Sequence, residues 1–236
     1  MALLDFDGDY GRTYNARIRR LIPAYDAIFE LAAATAAALQ PQACRVLVVG
    51  AGSGTELPAL LQAMPQARFT LIEPSQQMRG LCNALIDEIG AMERVEWGPD
   101  NLQAGGAGDF EVVISHNVLH VLPPSEQEQL LRRMAAHLAP GGCLLLSSYC
   151  EANPPGFELG LAIGRARFEA LGMDAATIEA VMASRNTKVF SMDEERLQRE
   201  LTQAGLEAPI PLLQALFQHL WLSRRPAQEC EGGATA

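Results

Sequence analysis

The chain alternates short apolar runs with longer stretches of helical periodicity. "RVLVVG" (45–50), "RFTLIE" (68–73), "RVEWG" (94–98), "FEVVISH" (110–116) and "CLLLSSY" (143–149) read as strands. Val46–Val49 and Val112–Ser115 are almost continuously apolar, the pattern of strands covered by helices on both faces. The alternation predicts right-handed βαβ units and an open parallel sheet. Ahead of the first strand, "AYDAIFELAAATAAALQ" places Ile28, Leu31, Ala32, Thr35 and Leu39 near helical spacing and ends before Pro41, so a helix leads into the sheet. Ser125 with Glu128, and Ser191 with Glu194, fit capping boxes, and "LAPGG" (138–142) carries helix-stop chemistry before the fifth strand. After Glu151 the texture changes. A helical insertion is expected over 151–190 and a closing antiparallel hairpin over 208–224, where Pro209 and Pro211 suit an edge strand. The organisation is one domain over 1–225 with a helical lid in 1–40, and a disordered tail over 226–236.

Composition narrows the partners. With 236 residues, 49% of them apolar, the chain can bury a full core. A formal net charge of −10 opposes nucleic-acid binding. One local exception is Arg12, Arg17, Arg19 and Arg20 beside Tyr10 and Tyr14, which read either as a solvated helix face or as a basic lid over an anionic group. The five cysteines are scattered without a C-x-x-C pair, which fits reduced thiols in a cytoplasm better than disulfides or zinc. No apolar run approaches the ~18 residues that span a bilayer, and "MALLDFDGDYGRTY" carries acids where a secretory signal carries bases. A cytoplasmic protein with no membrane or nucleic-acid partner is expected, with homodimerisation left open.

The chemistry concentrates at "VLVVGAGSGT" (46–55). Its strand, glycine turn and following helix direct backbone N–H groups at a nucleotide or anion. Gly50, Gly52 and Gly54 do not follow the dinucleotide spacing, which needs a glycine at the sixth position where Thr55 stands, and no Gly-Lys-Ser/Thr of a Walker loop follows. Glu73 ends the second strand, where a carboxylate accepts from both ribose hydroxyls. "GPDN" (98–101) follows the third strand with an acid and an amide, and "SHNVLHVL" (115–122) follows the fourth.

In this order, over roughly residues 40–150, the motifs resemble the class I S-adenosylmethionine-dependent methyltransferases. The resemblance implies a Rossmann-like, open seven-stranded, mainly parallel sheet with its last strand antiparallel. It implies that S-adenosylmethionine is held by Gly50, Ala51, Gly52 and Gly54 around the methionine, by Glu73 with Pro74 and Met78 around the ribose, and by Asp100 and Asn101 at adenine. Tyr25, Arg20 and His116 complete that set. A narrower resemblance, carried by "RLIPAYDAI", "LPPSEQEQLLRRM", "GMDAATIEAV", "ELTQAGL" and "LLQALFQ", is to the carboxy-S-adenosylmethionine synthases, which remodel the cofactor with prephenate. There the arginine used for a carboxylate falls on Met182, which cannot bind one, unless Arg185 one turn later substitutes.

Three functions follow. The first is methyl transfer to a small-molecule metabolite, as in secondary metabolism, with His116 and Tyr14 as the catalytic pair and Tyr10, Tyr149 and Arg185 on the acceptor. Lid tyrosines beside a sulfonium gain about 0.5–2 kcal/mol of cation–π attraction. The second starts from Val48, which stands where many class I enzymes carry an acid that holds the methionine ammonium. A less anionic surrounding favours the neutral amine, which could close azetidine-2-carboxylate and release methylthioadenosine. The third is a non-catalytic sensor of the cofactor. His116 and His120 share helical i,i+4 spacing, but no third ligand accompanies them, so no metal is expected.

Overall fold

The computed structural model describes residues 4–104, 108–151 and 156–227. The proposed tail from 228 onward, with Cys230, lies outside them. Helices α1 (Asp9–Leu21) and α2 (Tyr25–Leu39) come first and meet at 87°, the chain turning at Ala24 with a left-handed φ of 58°. The body then runs β1 (Arg45–Val49), α3 (Leu57–Ala63), β2 (Arg68–Ile72), α4 (Gln76–Glu88), β3 (Val95–Trp97), β4 (Phe110–His116), α5 (Pro124–His137) and β5 (Leu138–Tyr149). After it come α6 (Gly156–Ala170), α7 (Ala175–Ala183), α8 (Glu194–Gln203), β6 (Ile210–Ala215) and β7 (Gln218–Arg224).

The seven strands form one sheet in the order β3-β2-β1-β4-β5-β7-β6. β7 inserts antiparallel between β5 and β6, which leaves the proline-bearing β6 at the edge as expected. Alternation along "VLVV" splits the core across the sheet. Val46 and Val48 pack with α2 and α3, whereas Leu47 and Val49 pack with α5 and α8. Both β1 faces are therefore dry, which explains the continuous apolar run.

Two local expectations fail. α5 opens on Pro123–Pro124 with no side-chain cap, so Ser125 lies inside its first turn. α8 is capped by Asp193, whose carboxylate accepts from the Arg196 N–H at 2.8 Å, while Ser191 accepts from the Glu151 N–H at 2.7 Å. Asp193 stands at the N-cap itself, directly before Glu194, so its carboxylate and not the Ser191 hydroxyl reaches the first-turn N–H. The fifth strand also begins earlier than its apolar run, because "LAPGG" is drawn into β5 beside β4 across a register shift. Among the described residues no single helix is long and apolar enough to cross a membrane.

Candidate functional site

The glycine loop is shaped by backbone. Gly50 and Gly54 adopt φ of 75° and 76°, a region that costs other residues about 1–2 kcal/mol. A Cβ would meet Val118 at 2.2 Å from Gly50 and Cys82 at 2.7 Å from Gly54, so neither position tolerates a side chain. The N–H groups of Gly50 and Ala51 both donate to the Ile72 carbonyl, tying the loop to the end of β2. Glu73 bridges from there, accepting from the Gly52 N–H and the Ser75 N–H, each at 2.9 Å. It is buried, and burial pushes its carboxyl pKa up while those two N–H bonds pull it down. Met78 is buried on α4 with its methyl 3.6 Å from where a Gly52 Cβ would stand, and Pro74 is exposed beside them.

The lid lies on this loop. Ser53 donates to Asn15 of α1 at 2.6 Å and pairs with Thr55 at 3.1 Å. The Tyr14 and Tyr25 hydroxyls, from α1 and α2, are buried near Thr55 and Glu56, so polar groups of both helices meet the loop. Burial raises both phenols, Tyr25 to about 12, so both stay protonated donors at neutral pH. Phe6, Tyr10 and Tyr14 form an aromatic cluster with centroids 5.2–6.0 Å apart. Ahead of α1, Asp7 accepts from the Ser75 hydroxyl at 2.7 Å and the Gln77 N–H at 3.0 Å, pinning the strap to the start of α4.

Glu56, which the sequence did not single out, is sealed beneath this lid at 5% exposure. Burial pushes its carboxyl up to about 8, so it is largely protonated at neutral pH. Val48 is fully buried among Val46, Ile114 and the α2 side chains, as a core residue.

The two histidines have different surroundings. His116 bonds Ser147 through Nδ1 at 3.0 Å, its ring sits 5.2 Å from Phe29, and its Nε2 is buried with no partner. Burial lowers it to about 3, so it is a neutral core imidazole facing α2 and not the open side of the site. The period-two register of β4 explains this, since His116 shares the face of Ile114. His120 lines the neighbouring cavity instead. Its Nδ1 accepts from the Tyr149 N–H at 3.2 Å and lies 3.2 Å from the Ser148 hydroxyl, which leaves the ring proton on Nε2. Burial lowers His120 to about 4, so this donor is neutral.

That cavity, of about 320 Å³, lies between the lid, α6, α7 and the β6–β7 turn, at the carboxyl ends of β4 and β5. Tyr10, Tyr149 and Arg185, expected on the acceptor, all line it, as does Met182. None of the glycine-loop residues does. Arg20 does not join the loop either. It is exposed and donates to the Leu171 carbonyl at 2.7 Å, because it projects from α1 toward the α6–α7 junction. Of the other lid arginines, Arg12 pairs with Asp9 and Arg19 with Asp26, while Arg17 faces the cavity. After β3, where the resemblance places adenine, Asp100 is exposed and bound by Arg79, which stacks 4.4 Å from the Trp97 centroid, and Asn101 is exposed next to it. Among the described residues no group of His, Cys, Asp and Glu is arranged to hold a metal, and Cys44, Cys82, Cys143 and Cys150 are free thiols.

A sheet of this order, with a bare glycine loop after β1, an acid ending β2 and its last strand antiparallel, is the Rossmann-like fold of the class I methyltransferases. Residues 47–144 match a family model described as a methyltransferase domain. The chain is 24% identical over 144 residues to a carboxy-S-adenosyl-L-methionine synthase of Shewanella denitrificans, a match covering 60% of this chain and 59% of that protein. It thus spans less than two thirds of that relative. It is 28% identical over 233 residues to the synthase of the same name from Pseudomonas fluorescens, covering 89% of this chain and 88% of that one. Among solved structures, the magnesium protoporphyrin IX methyltransferase of Synechocystis with bound S-adenosylmethionine superposes with a TM-score of 0.64 at 16% identity, covering 95% of this chain and 99% of that one. At that identity the likeness is one of fold.

Proposed function

We propose that this chain transfers the methyl group of S-adenosylmethionine to a small molecule held under the lid. The observation that carries the reading is the placement, along one sheet edge, of a backbone-built glycine loop at the ends of β1 and β2 and a cavity at the ends of β4 and β5. The residues fit the cofactor. The loop is bare where a side chain would collide with Val118 or Cys82, and Glu73 offers a carboxylate at the end of β2. When bound, S-adenosylmethionine supplies an electrophilic sulfonium methyl.

The chain's own groups orient and desolvate. Glu73 and the loop N–H groups fix one side, and the rings of Phe6, Tyr10 and Tyr14 offer π-faces to a positive sulfonium. His120 presents its Nε2–H from a fixed tautomer, so an acceptor oxygen is held by a donor without a competing charge. Rate enhancement in such a site comes from proximity and exclusion of water.

A second reading, intramolecular closure of azetidine-2-carboxylate, is favoured by Val48. No acid stands there to hold the ammonium, and the buried Glu56 is largely protonated at neutral pH and adds no negative charge, so the surroundings favour the neutral amine. The freed amine would attack its own γ-carbon, the carbon–sulfur bond would break, and methylthioadenosine would leave with the electron pair. Incubation with S-adenosylmethionine alone, and then with candidate acceptors, separates the readings by mass spectrometry. Acceptor-dependent S-adenosylhomocysteine supports methyl transfer. Methylthioadenosine and the cyclic amino acid from the cofactor alone, above the spontaneous rate, overturn it in favour of cyclisation. Tight binding with neither product leaves a sensor.

A further inference from the structure

We infer that the cavity selects an anionic ligand, a carboxylate carried on an apolar body. This deepens the methyl-transfer reading by naming its acceptor class, and rests on that reading only for the cavity's role as the acceptor site. In a chain with a net charge of −10, the cavity wall carries Arg17, Arg167, Arg185 and Lys188, and no Asp or Glu. These cations come from α1, α6 and the turn after α7, segments far apart in sequence, so their convergence is a property of the fold. Between them the wall is apolar, with Ile22, Leu161, Phe168 and Val181.

The rim holds one carboxylate already. Arg185 binds both oxygens of Glu151 at 3.2 Å, and the Tyr149 hydroxyl donates to the same group at 3.2 Å. The guanidinium also stacks 4.5 Å from the Phe157 centroid, which fixes its plane. Guanidinium, phenol and aromatic shelf together match the shape and charge of a carboxylate. Glu151 acts as an internal stand-in that keeps Arg185 neutralised until a ligand carboxylate displaces it. The other wall groups play distinct parts. Arg167 is committed to the carbonyls of Arg20 and Leu21, and burial lowers its pKa. Arg17 lies 5.4 Å from the Tyr10 ring centroid, and Lys188 is exposed at the mouth; these two supply attraction for the incoming anion.

The test uses two probes of one shape, 4-phenylbutyrate and its neutral amide 4-phenylbutanamide, titrated calorimetrically into the full chain without cofactor. The carboxylate should bind about tenfold more tightly than the amide, as one charge-assisted bond requires. Arg185→Gln should abolish that preference while leaving amide binding intact. Glu151→Gln should tighten carboxylate binding several-fold by releasing Arg185. Equal binding of the two probes, or no carboxylate binding by either the wild type or Glu151→Gln at millimolar concentration, overturns the inference, as does an Arg185→Gln variant with an undiminished preference. Circular dichroism melts of both variants establish that they fold. Products from S-adenosylmethionine are scored separately. Carboxylate binding without methyl transfer removes the proposed function and keeps the anionic cavity, and the reverse result does the opposite.

Discussion

The glycine-loop half and the cavity half are built from different materials. Around β1 and β2 the contacts are made by backbone, with Gly50, Ala51 and Gly52 tied to Ile72 and Glu73 and no room for side chains at Gly50 or Gly54. Around the cavity they are made by side chains carried on helices and on one hairpin turn, with Tyr149, Arg185, Glu151 and Phe217 holding one another. Backbone geometry is insensitive to which residues surround it and suits a constant ligand. A side-chain wall can be rewritten residue by residue and suits a variable one.

The comparison breaks most sharply at Gly54. Gly54→Val forces a left-handed valine against Cys82 and Leu57, and should cost about 3 kcal/mol of stability, read by urea unfolding, together with all detectable S-adenosylmethionine binding. A comparable change at Gly164 in the cavity wall, where a Cβ meets nothing within 4 Å, should leave cofactor binding unchanged.

Glu56→Gln should have the opposite sign. Its folded pKa of about 8 lies above the unfolded value of about 4.5, so the folded chain holds the extra proton and wild-type stability falls as pH rises between those values. The variant lacks that loss and should gain about 3 kcal/mol at pH 7. Unfolding across pH 5–8 checks it. Parallel slopes for the two proteins would show that Glu56 is ionised in the folded lid.

Glu73→Gln removes a charged acceptor from the cradle and should weaken S-adenosylmethionine by about 2 kcal/mol in calorimetry, with the carboxylate preference of the cavity unchanged. His120→Phe should do the converse, weakening an oxygen-bearing cavity ligand by about 1 kcal/mol and sparing the cofactor. If either variant moved both ligands equally, the two halves would be one site.

The first half is also the legible one. Strands β1 and β4 announce themselves because both their faces are covered, and the hairpin because its prolines suit only an edge. Glycine spacing and Glu73 mark the cradle because the backbone there dictates residue type. The second half depends on which side chains meet, and spacing does not encode that. Nothing local tells His120 from His116; only the register of β4 and the tilt of the turn after it give the cavity to one and the core to the other. Glu56 reads as an ordinary acid at a helix start until α1 and α2 fold over it. Arg17 stood among the lid arginines in the sequence, but its meeting with Arg167, 150 positions away, did not.

The antiparallel placement of β7 has a consequence for how the chain is made. Pairing of β1 with β2 and β4 needs nothing beyond His116, but β5 gains its second neighbour only when Gln218–Arg224 arrives. At ribosomal speed that interval is on the order of ten seconds. For that time the apolar "CLLL" of β5 stands as a bare sheet edge, open to pairing with another nascent copy. If the cradle holds S-adenosylmethionine as proposed, early cofactor binding would stabilise the half-made sheet through its most vulnerable stage, before the cavity exists.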